Sequence, residues 1–314
     1  MKHDSLFAKK NVLFIGGLLI ALLVFGIARP TFAQANTSQN ITMSPASTLV
    51  SIKPGATIEK KFQILNSGGT EYTIVTSASP YHVVGNEYTP DFNQLPGTTD
   101  TAKWVQVLNP SATVDAQKST DISYRITVPE STAPGGYYAV LFAETRPVGS
   151  TEKSGVVPRN RVGNILYITV EGAVKTSGDV TVRSAQGFKY QATIPIGFTI
   201  SNTGGVHFLT TVKATVKSIT GKTVYNSSIE RYVLPQTQRD IPIDWSPTAP
   251  VGVYTVSRSA MVAGTERSLP DQTFVYVQPW VIVLAVSLLA SIILYFSSHA
   301  SARRNATVEK TSKK

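Results

Sequence analysis

The side chains that could carry out a reaction are few and widely spaced. The chain has no cysteine, which removes disulfides, thiolate metal sites and a cysteine nucleophile together. Between residues 36 and 278 there are two histidines, His82 and His207, and neither has a histidine or an acid beside it at metal-ligand spacing. The seventeen acidic residues of that stretch are scattered, without the pairing that acid–base cleavage of a glycosidic bond would suggest. A G-x-S-x-G nucleophile elbow and a phosphate-binding glycine loop are both absent. This pattern points away from an enzyme, a metal site and a cofactor, and towards a binding protein.

Polarity and charge gather instead in residues 147–162, a long run carrying Lys153, Arg159, Asn160 and Arg161. Long loops are often binding elements, and these four residues are the candidate binding site, with cations suited to an anionic polymer. Two peptides imitate a sortase signal. Residues 234–238 (LPQTQ) lack the final glycine, and residues 269–273 (LPDQT) hold one residue too many. Both read as interstrand turns in which proline fixes φ, so the chain is expected to stay in a membrane. Sequons at Asn36, Asn40 and Asn226 arise easily in so Ser/Thr-rich a chain.

The formal charge of +10 is shared out unevenly: +3 over residues 1–35, +3 over 36–278 and +4 over 279–314. Most of the excess sits in the two ends, and the nearly balanced middle argues against a nucleic-acid partner.

The elements that would position a site come from a duplication. TAPGGYYAV at 132–140 is echoed by TAPVGVYTV at 248–256, and ILNSGG at 64–69 by ISNTGG at 200–205. Two echoes in the same order indicate two copies of one module. Within each copy, short alternating runs such as Ile58, Phe62, Ile64 and Ile122, Tyr124, Ile126 are separated by turn residues about every ten positions. That is the pattern of an immunoglobulin-like β-sandwich; a single barrel through both copies is the alternative. Gly85 and Asn86 read as a two-residue hairpin turn. Residues 137–143, apolar on both faces, read as a central strand. Pro242 places its strand at an edge. Tyr137 and Tyr254 are read as occupying equivalent, core-packing places. The expected fold is all-β, with two tandem sandwiches at 40–174 and 178–278.

The flanks look like membrane machinery. Lys2, Lys9 and Lys10 precede sixteen apolar residues, 12–27, and Ala33, Gln34 and Ala35 offer a cleavage site, the plan of a signal peptide over residues 1–35. An uncleaved anchor is the alternative. Residues 280–296 form seventeen positions without a charge, about 25 Å as a helix against a hydrocarbon core of roughly 30 Å. A membrane helix is expected over 279–298. Arg303, Arg304, Lys310, Lys313 and Lys314 follow it, which places the 299–314 tail in the cytoplasm and residues 36–278 outside.

Several of these residues carry a likeness. The turn Lys53, Pro54, Gly55, the strand end Leu65, Asn66, the run Ile126 to Pro129 and the entry Pro134, Gly135, Gly136, Tyr137 resemble the peptidoglycan-binding module of the WxL-interacting proteins of Gram-positive surfaces. Asn202, Leu234 with Pro235, Ile241 with Ile243, and Gly252 to Tyr254 are similar to that family's host-binding module. The resemblance implies a non-catalytic, membrane-anchored surface protein that binds cell wall or partner surface proteins. The expected partners are therefore a cell-wall polymer such as peptidoglycan, or a surface protein, together with a single-pass membrane. A subunit of a membrane assembly or secretion complex is the second reading, and a surface hydrolase the third.

Overall fold

A computed structural model describes residues 41–147 and 160–312; the expected signal peptide, Lys153 and Arg159 lie outside the described residues. The chain is β-rich with one C-terminal helix. In the first half, β1 (Ile41–Ser44), β3 (Thr57–Asn66), β9 (Ser119–Thr127) and β7 (Val105–Val107) form one sheet in the order β1-β3-β9-β7. The facing sheet has the order β2-β11-β10-β4-β8, from β2 (Ser47–Ile52), β11 (Arg161–Val170), β10 (Gly135–Pro147), β4 (Tyr72–Pro80) and β8 (Ser111–Val114). Phe62, Ile64, Ile122, Tyr124, Ile126, Leu141 and Ile168 are buried between them. A small hairpin, β5 (His82–Val84) with β6 (Thr89–Asp91), stands apart from both sheets.

The second half repeats this wiring. β12 (Gly178–Val182), β15 (Phe198–Asn202) and β18 (Thr237–Ile241) reproduce β1-β3-β9. β13 (Gly187–Lys189), β21 (Thr265–Val277), β20 (Val251–Val262), β16 (Phe208–Ser218) and β17 (Thr223–Val233) reproduce β2-β11-β10-β4-β8. The match extends to strand direction: β2 on β11 and β13 on β21 are both parallel, where every other pair among the described residues is antiparallel. A short pair, β14 (Ile194–Pro195) with β19 (Asp244–Trp245), closes one end. An immunoglobulin-like β-sandwich fits this β-rich fold.

The Asn-x-Gly-Gly echo has a specific job. Asn66 is fully buried, its Nδ2 donating to the carbonyls of Thr70 at 2.7 Å and of Val114 and Asp115 at 3.1 Å, while its Oδ1 accepts the Gly68 N–H at 2.9 Å. Asn202 does the same with the carbonyls of Val206 and Val233, both at 2.9 Å, and the Gly204 N–H at 2.8 Å. Each turn is then clasped by a glutamine: Gln117 Nε2 donates to the carbonyls of Ser67 and Gly68, Gln236 Nε2 to those of Thr203 and Gly204. Both glutamines adopt the left-handed conformation, at φ 60° and 57°. The turn at 234–238 is thus a turn, as its proline implies.

Other expectations change. The hairpin at Gly85 and Asn86 exists, but its loop has four residues, with Gly85 at φ 68° and Tyr88 at φ 62°. Residues 269–273 are not a turn. They run inside β21, and the chain reverses earlier, at Ala263 and Gly264, both at positive φ. The extra length is absorbed by a register shift opposite Val256 to Arg258. There Arg258 is buried and donates to the Arg183 carbonyl at 3.0 Å and to Gln272 Oε1 at 2.5 Å.

The strong echo at 132–140 is also out of step with the pleat. At a constant offset Tyr138 would match Tyr254, yet Tyr138 points away from the first core, whereas Tyr254 points into the second. The core place belongs to Tyr137, 4.7 Å centroid to centroid from Trp104, as Tyr254 is from Trp245. One residue of slip exchanges the faces of a strand.

Helix α1 (Pro279–Ser312) follows β21 after a single residue, Gln278. Its first part, Pro279–Ser297, is long and apolar enough to cross a membrane and is not buried against the sheets. The helix backbone continues through the basic residues Arg303, Arg304 and Lys310.

Replacing either turn asparagine strands several buried backbone groups. Asn66→Ala and Asn202→Ala should each cost about 2–4 kcal/mol, read as matching drops in the urea midpoint of the full chain. A cost below about 0.5 kcal/mol for either one would contradict the shared role.

Candidate functional site

Residues 148–159 of the stretch read as the binding loop lie outside the described residues, and strands flank them on both sides. β10 extends to Pro147, and β11 starts at Arg161. Arg161 therefore begins β11, with Asn160 just before it. Asn160 is tied to β10: its N–H donates to Thr145 Oγ1 at 3.0 Å, and its carbonyl accepts the Thr145 N–H at 2.9 Å. Arg161 is set opposite Glu144 and lays its guanidinium 4.3 Å above the Phe142 ring. It braces the sheet's outer face.

That outer face is where the two halves meet. β10 turns Tyr138, Val140 and Phe142 away from its own core, and β11 does the same with Tyr167. Phe92, from the segment after β6, meets Phe142 edge-on at 4.8 Å. The rest is covered by the second half. Tyr167 stacks near Tyr232 at 4.6 Å and His207 at 5.0 Å. Residues 137–143 are thus central, as their two apolar faces imply, and the second cover comes from the other copy of the module.

Several polar groups are paired across this seam. The Tyr138 hydroxyl accepts the His207 N–H at 3.1 Å and lies 3.2 Å from His207 Nδ1. This geometry lets the hydroxyl donate to a neutral imidazole. The Tyr88 hydroxyl accepts the Leu234 N–H at 2.8 Å and shares a short hydrogen bond with Thr237 Oγ1. Arg239 stacks 4.3 Å over the Tyr88 ring and donates to the Tyr232 carbonyl at 2.6 Å. Two backbone bonds cross as well, Gly136 N–H to the Gly205 carbonyl at 2.9 Å and Asp240 N–H to the Asn86 carbonyl at 2.7 Å. Burial raises the pKa of Tyr88, Tyr138 and Tyr167, and pulls His207 down to about 4.

His207 is half-buried in the seam. His82 Nε2 lies 3.0 Å from Asp91 Oδ2 across the small hairpin. Asp91 is held below the ordinary carboxylate range by the Asn93 amide, with His82 assisting. Among the described residues no group of histidines and acids is arranged to hold a metal.

Two clefts open near the seam. One of about 390 Å³ lies between Glu87 and the second half, lined by Arg183, Phe198, Asp240, Pro242 and Asp244. The other, about 250 Å³, is lined by Tyr81, His82, Asn93, Gln94, Thr98 and Tyr137. The sheet edges differ more. Among the described residues β17, eleven residues long, is bonded on one side only, at the end of its sheet. The other edges run from two to six residues. β17 is the feature that sequence reading missed: its residues were legible as a strand, but edge position depends on strand order.

No family model matches the sequence, and no curated protein does. Among solved structures, the chain is similar to the YadV chaperone at 11% identity, covering 74% of this chain and 99% of that one with a TM-score of 0.39. It is similar to the CsuC–CsuE chaperone–tip subunit pre-assembly complex from the Csu pili of Acinetobacter baumannii at 11% identity, 76% and 98% coverage and a TM-score of 0.37. A PapD-like domain of human CEP192 matches at 14% identity, covering 47% of this chain and 96% of that domain with a TM-score of 0.33. Scores this low carry no argument about what the chain does.

His207 gives the seam a pH dependence. An unfolded histidine titrates near 6.5, so between about pH 6.5 and 4 the unfolded chain holds a proton that the folded chain does not. Stability should therefore fall as pH drops through that window, by about 1–2 kcal/mol after discounting for partial exposure. Urea titrations of the full chain at pH 7 and pH 4.5 should show this loss relative to His207→Gln; equal pH sensitivity of both proteins would rule the linkage out.

Proposed function

We propose that this chain is a membrane-anchored, non-catalytic binding scaffold of a bacterial surface. It is made of two immunoglobulin-like modules, 40–174 and 178–278, exported by a signal peptide at 1–35. It is held by the helix at 279–298, with residues 36–278 outside and the tail inside. The family that suits this reading is that of the WxL-interacting proteins.

The single observation that carries the binding role is the open edge of β17. An unpaired edge strand is a template for another strand, and natural proteins usually shorten such edges or arm them with lysine or proline. β17 is long and has neither within it. Near its C-terminal end the carbonyls of Glu230, Tyr232 and Val233 are taken by Arg231, Arg239 and Asn202. That leaves residues 223–229 as the accepting stretch for a partner protein's strand, bound through backbone hydrogen bonds. The seam makes the edge a fixed fixture of a stiff body, which lowers the ordering cost of binding.

The loop that begins after Pro147 is a second contact in this reading, with Lys153 and Arg159 offered to anionic wall polymer. Peptidoglycan or its attached polymers would be the ligand there.

Both contacts can be tested in one comparison. Full-length chain is isolated from cross-linked cells as wild type, as Ser228→Lys with Asn226→Lys, and with residues 149–158 deleted. The edge variant should lose about tenfold of its stoichiometric partner protein, equivalent to about 1.4 kcal/mol, and keep its wall fragments; the deletion should do the reverse. Unchanged recovery of partner and wall material in both variants would overturn the proposal.

A further inference from the structure

The end of the second half that adjoins α1 carries an unusual surface. Val277 closes β21, Gln278 is the only residue between, and the helix starts at Pro279. The junction is tied down. Gln278 N–H donates to the Pro250 carbonyl at 2.8 Å, its carbonyl accepts the Val281 N–H at 3.0 Å, and its side-chain oxygen takes the Trp280 indole N–H in a short bond.

Across the same end the outward side of the sheet is apolar. Phe188 on β13 is in register with Val275 on β21, Val275 with Val253 on β20, and the Ile219 N–H donates to the Val253 carbonyl at 3.0 Å. Ile219, in the turn after β16, is 79% exposed, and Phe188 and Tyr190 are 54% and 55% exposed. Over residues 186–190, 217–224, 250–255 and 273–280 the only charged side chains are Lys189, Lys217 and Lys222. A patch of aromatic and branched side chains ringed by lysines and lacking acids matches the chemistry of an anionic lipid surface, with rings at headgroup depth and ammonium groups among the headgroups.

Length makes the contact close to unavoidable. The apolar helix stretch Pro279–Ser297 has 19 residues, about 29 Å at 1.5 Å per residue, against a hydrocarbon core of roughly 30 Å. Its first turn is needed inside the membrane, which sets Trp280 at the boundary. One connecting residue spans about 3.5 Å, too little to lift the sheet clear of the headgroups.

We infer that this end of the second half, centred on Phe188, Tyr190 and Ile219, is seated in the headgroup layer of the bilayer and holds the scaffold at a fixed angle to it. The inference rests on reading α1 as a membrane span. A second copy or a partner protein covering the patch is the competing outcome.

The absence of native cysteine makes the test direct. Tyr190→Cys, Ile219→Cys, Leu209→Cys and Leu288→Cys are made singly in the full chain, spin-labelled, and placed one copy per nanodisc of phosphatidylcholine with phosphatidylglycerol. Accessibility to oxygen and to a water-soluble nickel chelate is then compared. Leu288, within the helix, should exclude nickel. Tyr190 and Ile219 should lose nickel access about fivefold relative to Leu209, which lies at the far end of β16, as expected for headgroup-depth residues. If Leu288 excludes nickel while Tyr190 and Ile219 match Leu209, the seating is wrong and the anchor stands. If Leu288 itself admits nickel, the anchor and the seating fall together. Protection of Ile219 seen only in discs loaded with two copies assigns the patch to a second copy and likewise overturns the inference.

Discussion

A central strand with apolar side chains on both faces cannot be satisfied by one core, and β10 is such a strand. Its inward residues, Ala139, Leu141 and Ala143, fill the first sandwich, while Tyr138, Val140 and Phe142 require a second cover. The hairpin β5–β6 with Phe92 supplies part of it, and the second half supplies the rest. Burying tyrosines creates a further demand, because a hydroxyl removed from water without a partner is costly. That demand is met across the seam, where Tyr138 finds His207 and Tyr88 finds Leu234 and Thr237. The two copies are therefore joined by matched polar groups inside an apolar contact, and residues 40–314 form one compact unit. The same seam fixes the direction in which β17 and the helix-bearing end of β21 face.

Much of the architecture was legible in the sequence because duplication writes itself twice. The echo of Asn66 in Asn202 marked equivalent turns, and the alternation of Ile122, Tyr124 and Ile126 marked a half-buried strand. What the echo could not show is its clasp. Gln117 and Gln236 stand far from the asparagine turns in sequence and reveal themselves only through hydrogen bonds. The pairing of Tyr137 with Tyr254 as core residues holds, although a constant offset between the two TAP segments would pair Tyr138 with Tyr254, since a pleat is set by cross-strand register and not by identity. Leu269 and Pro270 looked like a turn because proline usually marks one; a bulge opposite Val256 to Arg258 lets the strand continue through them instead.

The candidate site was less legible, for a related reason. Charge gathered in residues 147–162 drew attention to the loop, but strand pairing takes Arg161 out of it and stacks it on Phe142. The seam is built from His207, Tyr88, Tyr138, Tyr232 and Arg239, residues of no common motif that only the folded topology brings together. Edge position, on which the proposed binding role of β17 rests, is likewise a property of strand order. The helix was readable from composition alone, yet the apolar patch beside it was not, because Phe188, Ile219, Val253 and Val275 come from four separate strands and turns.

The central claim is that the two repeated halves behave as one body because their seam is a true core. Scanning calorimetry of the full chain in detergent addresses it most directly. A single transition, with calorimetric and van't Hoff enthalpies in agreement, that separates into two when Tyr88→Ala and His207→Asp are combined is the predicted result. Two independent transitions in the unaltered protein would contradict it.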